Sequence, residues 1–283
     1  MKIGLFGINF GACADPQTAA RVAQAAEQAG FESVWTGEHV VLPDPQVPPS
    51  PVPPETPFLD PAVALAFVAA HTQRLKLGTG IIILPQRNPL VLAKQLASVD
   101  VLSNGRLIFG LGIGYLKPEF DALGVPFDHK GARAIEYLEA MLAVWTQAEP
   151  SYAGRFFSFG GIQSLPRPVQ KPHPPIVIGG ATPEAFRRAV EHANGWYGFA
   201  LDIDAAVTCI DGIRRAEQRY PRPRELGPLE ISVTPRGRLD ADLVGRFADA
   251  GVHRLIPAPM AAAETDLLRF IERLEPLLSA SSR

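Results

Sequence analysis

The sequence has few cysteines, no excess of charge of either sign and no long hydrophobic run. Its two cysteines, Cys13 and Cys209, cannot build a disulfide framework, and neither has histidine or cysteine neighbours at metal-ligand spacing. The 27 basic and 29 acidic side chains leave a net charge of -2, without the basic excess typical of nucleic-acid binding. The most apolar stretches, such as 61–70, are too short to cross a bilayer. We therefore expect a cytoplasmic protein with no metal, nucleic-acid or membrane partner.

The first residues resemble a signal peptide in one respect, because Lys2 precedes an apolar run. Asn9 and several glycines interrupt that run, which is also short for a secretory signal. We interpret the segment as a buried first strand and keep a secretory signal as the alternative.

What the sequence does contain is a recurring unit: an apolar run, a helix that opens with a capping residue, then a glycine and another apolar run. Four pairs place an acceptor side chain at a helix N-cap and proline at the first helical position: Asp15-Pro16, Asp60-Pro61, Asn88-Pro89 and Thr182-Pro183. Four glycines occur where a helix should stop: Gly30, Gly105, Gly195 and Gly251. These signals predict alternating strands and helices.

The predicted strands are near-continuous apolar runs, as expected for parallel strands covered on both faces. They comprise residues 3–10, 33–36, 75–84, 107–113, 176–179, 196–200, 229–234 and 254–256. The predicted helices comprise residues 16–29, 60–71, 89–103, 131–147, 183–193, 204–219, 240–250 and 262–277. Eight alternations favour an α/β fold of the (β/α)8 TIM-barrel type, forming one domain over residues 1–283.

Two segments interrupt this alternation, one after the second strand and one between the fourth and fifth. In the first, 43–57, eight of fifteen residues are proline, which predicts a stiff extended excursion. The second, 148–174, contains a predicted small hairpin at 151–157 before a proline-rich tract. Each insertion either roofs a pocket at the carboxyl ends of the strands or only decorates the fold.

Glu38 and His39 directly follow the second predicted strand. An imidazole can donate or accept a proton near neutral pH, and the carboxyl end of a barrel strand faces the reaction site. We predict His39 and Glu38 as catalytic residues, although a lone histidine is often structural. Glu38 either orients the ring or is merely solvated.

Glycines cluster at three further strand ends, at 78–80, 110–114 and 179–180. The second cluster lacks the G-x-G-x-x-G spacing of a dinucleotide-binding turn, and no clear helix follows it. The third runs into a capped helix whose free N–H groups favour a phosphate, although Glu184 in the first turn opposes one. A tight turn or close packing is the alternative reason for each cluster.

Together these segments resemble the luciferase-like monooxygenase superfamily, and in particular its F420-dependent oxidoreductase branch. The resemblance covers nearly the whole chain. Its markers are residues 30–35, Glu38-His39, and residues 77–81, 87–89, 102–114, 119–120 and 178–180. The family's fold is a TIM barrel, usually dimeric, with a flat flavin-type ring set across the strand ends, so the resemblance implies a homodimer.

Carried over residue by residue, the resemblance places His39 beside the ring and the substrate. It also implies that the cofactor is bound by Thr79, Gly80, Ile81, Gly112, Gly114, Tyr115, Gly179, Gly180, Ala181 and Thr182, the last four at its phosphate. Behind the ring it implies a cis peptide bond without proline, between Gly80 and Ile81. Candidate partners for the acidic tail of F420 are Arg87, Lys117, Arg133, Arg187 and Arg188.

The resemblance implies hydride transfer between coenzyme F420 and a small-molecule substrate, with His39 exchanging the accompanying proton. The family's sugar-phosphate dehydrogenase has a glutamate near the end of strand one and a tryptophan after the histidine, and both are missing here. The predicted entrance to the site has apolar residues instead, namely Phe10, Val40, Leu42 and Phe58, and this favours an apolar substrate. An FMN-dependent monooxygenase and a noncatalytic cofactor-binding homologue are the alternatives.

Overall fold

The computed structural model describes residues 1–259, 261 and 263–280, with the backbone alone at 279 and 280. Within these residues eleven strands and nine α-helices alternate along the chain. The strands are β1 (Lys2–Phe6), β2 (Ser33–Thr36), β3 (Lys76–Thr79), β4 (Ile82–Ile83), β5 (Leu107–Gly112), β6 (Tyr152–Ala153), β7 (Ser158–Phe159), β8 (Ile176–Gly179), β9 (Gly195–Leu201), β10 (Glu230–Pro235) and β11 (Arg254–Leu255). The helices are α1 (Pro16–Ala29), α2 (Pro61–His71), α3 (Pro89–Leu102), α4 (Lys117–Ala122), α5 (Lys130–Thr146), α6 (Pro183–His192), α7 (Ile203–Arg219), α8 (Ala241–Asp249) and α9 (Glu264–Ala280).

Parallel strands close into an eight-stranded barrel, which confirms the predicted TIM-barrel fold. Their order is β1, β2, β3, β5, β8, β9, β10 and β11, and β11 pairs back onto β1. Strand β4 continues β3 beyond a break and also pairs with β5. The α-helices lie outside, and apolar residues of the barrel and the helices form the main core, while a separate small cluster that includes Trp35 and Tyr197 fills the barrel.

Local sequence signals set the helix starts. Asp15, Asp60, Asn88 and Thr182 each accept a hydrogen bond from a first-turn N–H, and proline follows each of them. Among the predicted helix stops, Gly30, Gly105 and Gly251 adopt the left-handed conformation that glycine tolerates best. Gly195 was wrong as a helix stop: α6 ends at His192, and Gly195 begins β9, where the carbonyl of Glu230 leaves no room for a Cβ atom.

Several elements differ from the prediction, four of them in ways that affect the fold or the site. The first strand ends at Phe6, because the chain turns at Gly7, which has a positive φ of 98°. The predicted strand 75–84 is divided into β3 and β4. The short helix α4 was not predicted, since six residues carry too little periodicity to be recognised. The predicted helix 262–277 begins at Glu264, and its predicted first residue, 262, lies outside the described residues.

The barrel interior is filled, and the site therefore lies above it. Trp35 is fully buried there, and Gly4 and Gly78 on the flanking strands make room for it. A Cβ atom at Gly78 would lie 2.3 Å from the Trp35 ring. The Trp35 indole packs against Tyr197, with ring centroids 5.7 Å apart.

The two insertions lie in different places. Phe58, directly after the proline-rich excursion, forms an isolated antiparallel bridge with Phe10 in the loop after β1. Asn9 reinforces this junction, since its amide donates to the carbonyls of Gly37 (2.9 Å) and Leu59 (2.7 Å). The second insertion contains the predicted hairpin, formed by β6 and β7. This hairpin contacts α5 through the Tyr152 hydroxyl, which donates to Glu139. The first insertion therefore borders the carboxyl face beside β2.

None of the helices within the described residues is long and apolar enough to span a membrane.

Candidate functional site

The predicted site residues lie at the carboxyl ends of four neighbouring barrel strands. His39 follows β2, Gly80 and Ile81 separate β3 from β4, Gly112 ends β5, and Gly179 ends β8. These strands are hydrogen-bonded in that order around the barrel. The fold therefore assembles at one face residues that are far apart along the chain.

The His39 side chain is 8% exposed and lies between two aromatic rings. The rings of Phe58 and Tyr115 meet it edge-on, at centroid distances of 5.5 and 6.3 Å. Its Nδ1 atom faces the carboxylate of Glu119, with 3.4 Å between Nδ1 and Oε2. The imidazole is therefore surrounded by the side chains of Phe58, Tyr115 and Glu119.

Glu119 is a site residue to which the sequence assigned no role. It belongs to α4, is completely buried, and accepts through Oε1 from the backbone N–H of Val40 at 2.6 Å. In the sequence Glu119-Phe120 is only a marker of the family resemblance, and no local pattern gives the glutamate a role. Because α4 was not predicted, nothing connected this carboxylate to His39.

Glu38 points to a different set of partners from His39. Its carboxylate forms an ion pair with Arg87 and accepts the N–H of Ile83 in β4. Arg87 in turn contacts Asp60, with 2.8 Å between Nη1 and Oδ2. Burial raises the pKa of the Glu38 carboxyl, and the charge of Arg87 opposes that rise. The structure thus ties Glu38 to the backbone of β4.

The peptide bond between Gly80 and Ile81 is cis, as the resemblance implied. Ile81 extends its side chain over two neighbouring strand ends, where a Cβ atom at Gly112 or Gly179 would lie 2.1 or 2.8 Å from its Cδ1. The Thr79 hydroxyl is engaged with Gly110, donating to its carbonyl at 2.7 Å and accepting its N–H at 2.8 Å. The Thr79 hydroxyl therefore links β3 to β5, and the Ile81 side chain forms an apolar surface at the site.

Gly114 and Tyr115 follow β5, and the Tyr115 ring contacts His39. Gly114 has a positive φ of 73°, and a Cβ atom there would lie 2.7 Å from Ile83 and from Phe120. Tyr115 is 48% exposed, and burial of its phenol together with the nearby Glu119 raises its pKa. The phenol is therefore a neutral group at the rim of the site.

The segment Gly179–Thr182 joins β8 to α6, and all of it beyond Gly179 is exposed, including Ala181. The Trp196 indole donates to the Gly180 carbonyl at 2.7 Å and fixes the turn. The Thr182 hydroxyl accepts the N–H of Ala185, and Glu184 lies exposed in the same first turn. The predicted phosphate position is thus open to solvent, but a carboxylate lies beside it.

Four of the five basic side chains proposed for an acidic tail already have partners. Arg87 pairs with Glu38 and Asp60, Lys117 with Asp121, Arg187 with Glu191, and Arg133 donates to the carbonyls of Pro126 and Asp128. Arg188 on α6 differs, because its Nε atom is buried and has no hydrogen-bond partner in the described part of the chain. Burial lowers the pKa of this guanidinium. Among these five side chains, Arg188 is therefore the one with a buried N–H that lacks a partner among the residues described.

Aromatic side chains line the β1 side of the site. Phe10 stacks on Phe58 with ring centroids 4.9 Å apart, and Phe6 lies 5.8 Å from Phe10 and 5.1 Å from Phe199. Val40 adds an exposed apolar side chain, and Leu42 is partly buried. Among the described residues no group of three or more His, Cys, Asp or Glu side chains could hold a metal ion.

Comparisons with known proteins identify the family and the fold. A family model described as luciferase-like monooxygenase matches residues 2–239. The uncharacterised protein Rv0953c of Mycobacterium tuberculosis is 32% identical over 273 residues, covering 93% of this chain and 94% of its own.

Two solved structures share the fold. The monooxygenase RslO1 of Streptomyces bottropensis is 22% identical with a TM-score of 0.77, and both chains are covered completely. An F420-dependent secondary alcohol dehydrogenase in complex with an F420-acetone adduct is 14% identical with a TM-score of 0.79, at 98% coverage of both chains. The chain belongs to the luciferase-like monooxygenase family, whose members are oxidoreductases.

Proposed function

We propose that this protein is an F420-dependent oxidoreductase that transfers a hydride between the deazaflavin and an apolar small molecule. The observation that carries the proposal is the convergence of His39, the Gly80-Ile81 bond and the Gly179–Thr182 loop on one face of the barrel. A planar cofactor needs such a face, because its ring must contact backbone closely on one side and substrate on the other.

The residues present suit a flat cofactor with an anionic end. The Ile81 side chain forms an apolar surface across the ends of β5 and β8. Gly112 and Gly179 leave the space that this side chain occupies. Arg188 offers a buried N–H without a partner, on the helix that begins after the proposed phosphate loop. When bound, F420 supplies or accepts the hydride. An unpartnered guanidinium favours F420 over FMN, since F420 carries additional carboxylates in its tail.

The chain's own residues would position the reactants and move one proton. His39 is proposed to exchange that proton with the substrate through Nε2, because Nδ1 faces Glu119. Glu38 is proposed to have a structural role, in which its carboxylate holds the backbone N–H of Ile83 and the guanidinium of Arg87 in place. The aromatic side chains Phe10 and Phe58 would exclude water from the substrate and favour an apolar or aromatic one.

Cofactor titration tests the proposal directly. We expect oxidised and reduced F420 to bind saturably, as followed by fluorescence, and FMN in either redox state to bind about tenfold more weakly or worse. Tighter binding of reduced FMN would instead favour a monooxygenase. Binding of neither cofactor would favour a noncatalytic homologue and would overturn the proposal.

Two substitutions separate binding from turnover. Arg188→Gln should weaken F420 binding about tenfold or more, the range for a lost charge-assisted hydrogen bond. The matched control Arg187→Gln changes an exposed neighbour already paired with Glu191 and should leave the dissociation constant unchanged. His39→Ala should keep F420 affinity and lower kcat by about two to four orders of magnitude. Full turnover in His39→Ala would refute the proton-transfer role.

A further inference from the structure

We propose that Glu119 is a positioning residue that selects the tautomer of His39. The inference rests on the proposed function, because it concerns the same imidazole. It adds the atom on which the neutral ring carries its proton: Nδ1, facing Glu119, with Nε2 left as the base that faces the substrate.

The first step is that two buried polar atoms face each other, each without a hydrogen-bond partner among the described residues. His39 Nδ1 and Glu119 Oε2 are 3.4 Å apart, and the side chains are 8% and 0% exposed. Leaving a buried polar atom unpaired is unfavourable, because the atom has lost its hydrogen bonds to water. A small rotation of the imidazole brings the two atoms to hydrogen-bond distance and satisfies both, so pairing is the favoured arrangement.

The second step is that Glu119 cannot turn its carboxylate elsewhere. Its Oε1 atom accepts from Val40 N–H at 2.6 Å and more weakly from Val41 N–H at 3.4 Å. Its neighbour Phe120 is also fully buried, which anchors α4. The first oxygen is therefore held by the backbone that follows His39, and the second is directed at the ring.

The third step concerns the direction of the hydrogen bond. An ionised carboxylate only accepts, so Nδ1 must donate, and the neutral imidazole then carries its lone pair on Nε2. The adjacent carboxylate of Glu38 does not compete for the ring, because it is occupied by Arg87 and the N–H of Ile83. His39 is thus prepared to remove a proton from a substrate and, once protonated, to return it in the reverse reaction.

The decisive variant is Glu119→Gln. The Gln amide oxygen can keep the bonds from Val40 and Val41, and its NH2 group then faces Nδ1. An NH2 group donates, so Nδ1 must accept, and the proton of the neutral ring moves to Nε2. The fold is preserved while the tautomer is reversed, which a purely structural role for Glu119 does not predict.

The tautomer is measured by 15N NMR on the full-length protein labelled at histidine, in the alkaline range where the His39 resonances no longer change with pH. The resonance of His39 is identified by its absence in His39→Gln. We expect Nδ1–H in the wild type and Nε2–H in Glu119→Gln. With F420 bound and a substrate turning over, kcat for substrate oxidation should fall about 10²-fold or more, while F420 affinity changes less than about twofold.

The control is Asp121→Asn, the same chemical change on an exposed residue of α4 that pairs with Lys117. It should leave both the tautomer and kcat as in the wild type. The inference is overturned when Glu119→Gln retains Nδ1–H, or when it reverses the tautomer and kcat stays within about twofold of the wild type. Because the NMR measurement needs no cofactor, failure of F420 binding would refute the proposed function without affecting the tautomer result.

Discussion

Several barrel glycines are required by the side chain of a neighbouring strand rather than by backbone conformation. Gly78 faces the buried indole of Trp35, and Gly112 and Gly179 face Ile81. The first contact lies in the barrel interior and affects stability, whereas the other two lie at the proposed cofactor face. Substitutions at these two kinds of glycine should therefore have different consequences.

Gly78→Ala should destabilise the protein by about 1–3 kcal/mol or more, because the new methyl group would lie 2.3 Å from a ring that cannot move within the barrel. Urea unfolding followed by tryptophan fluorescence measures the change. Gly245→Ala is the control, since a Cβ atom there meets nothing within 4 Å and lies in α8. It should stabilise by about 0.5–1 kcal/mol, the usual advantage of alanine in a helix. Equal effects of the two substitutions would contradict this account.

At the scale of elements, the last helix is connected to the first by a cluster of charged and polar groups. Glu264, the first residue of α9, accepts from Arg21 through both oxygens at 2.6 Å and from the Thr18 hydroxyl at 2.9 Å. The guanidinium of Arg21, followed by the hydroxyl of Thr18, lowers the pKa of Glu264 to about 2. The connection joins the helices that flank the closing strand pair β11 and β1.

Glu264→Gln should lower the melting temperature at pH 7, and the difference from the wild type should shrink in acid. A carboxyl whose pKa is lowered on folding stabilises the fold above its unfolded value, about 4.5. That contribution disappears as the pH falls from about 4.5 toward about 2. Thermal melts at pH 7 and at about pH 3.5 measure it, with the exposed Glu272→Gln on α9 as the control that should change neither. A difference that grows in acid would contradict the assignment.

For the whole molecule, we expect a homodimer that forms through α2 and α3. Helix α2 has no charged side chain before His71, and Val63 on α2 and Val91 on α3 are 63% and 57% exposed. Adjacent helices with apolar residues directed outward are typical of a protein–protein interface.

The double substitution Val63→Asp with Val91→Asp should shift the protein toward monomer, since each charge would be buried unpaired in the interface. Light scattering coupled to size-exclusion chromatography measures the mass. Val207→Asp on α7, at a residue that is 40% exposed, is the control and should not change the mass. A wild-type protein that is monomeric at tens of micromolar would refute the dimer.

Most helix starts and the barrel itself were predictable from sequence, and the site only in part. Asp15 and Asn88 cap their helices because capping depends on residues within one turn. The same reasoning could not find α4, and it placed Gly195 at a helix end when it begins a strand. Gly195 has no side chain because the carbonyl of Glu230, on the neighbouring strand, approaches it, and no local pattern reports that approach.

The sequence by itself determined the alternation of strands and helices, the apolar core and the position of His39 at a strand end. These depend on periodicity and on short-range hydrogen bonds, which residue order encodes directly. Only the tertiary structure decided which partners the two glutamates have. Glu38 binds Arg87 and the backbone of β4, whereas Glu119 faces His39 and binds the N–H of Val40, from which it is separated by 79 positions in the sequence. Barrel closure brings those groups together in three dimensions, and the choice of partner follows from burial and distance, which the order of residues does not specify.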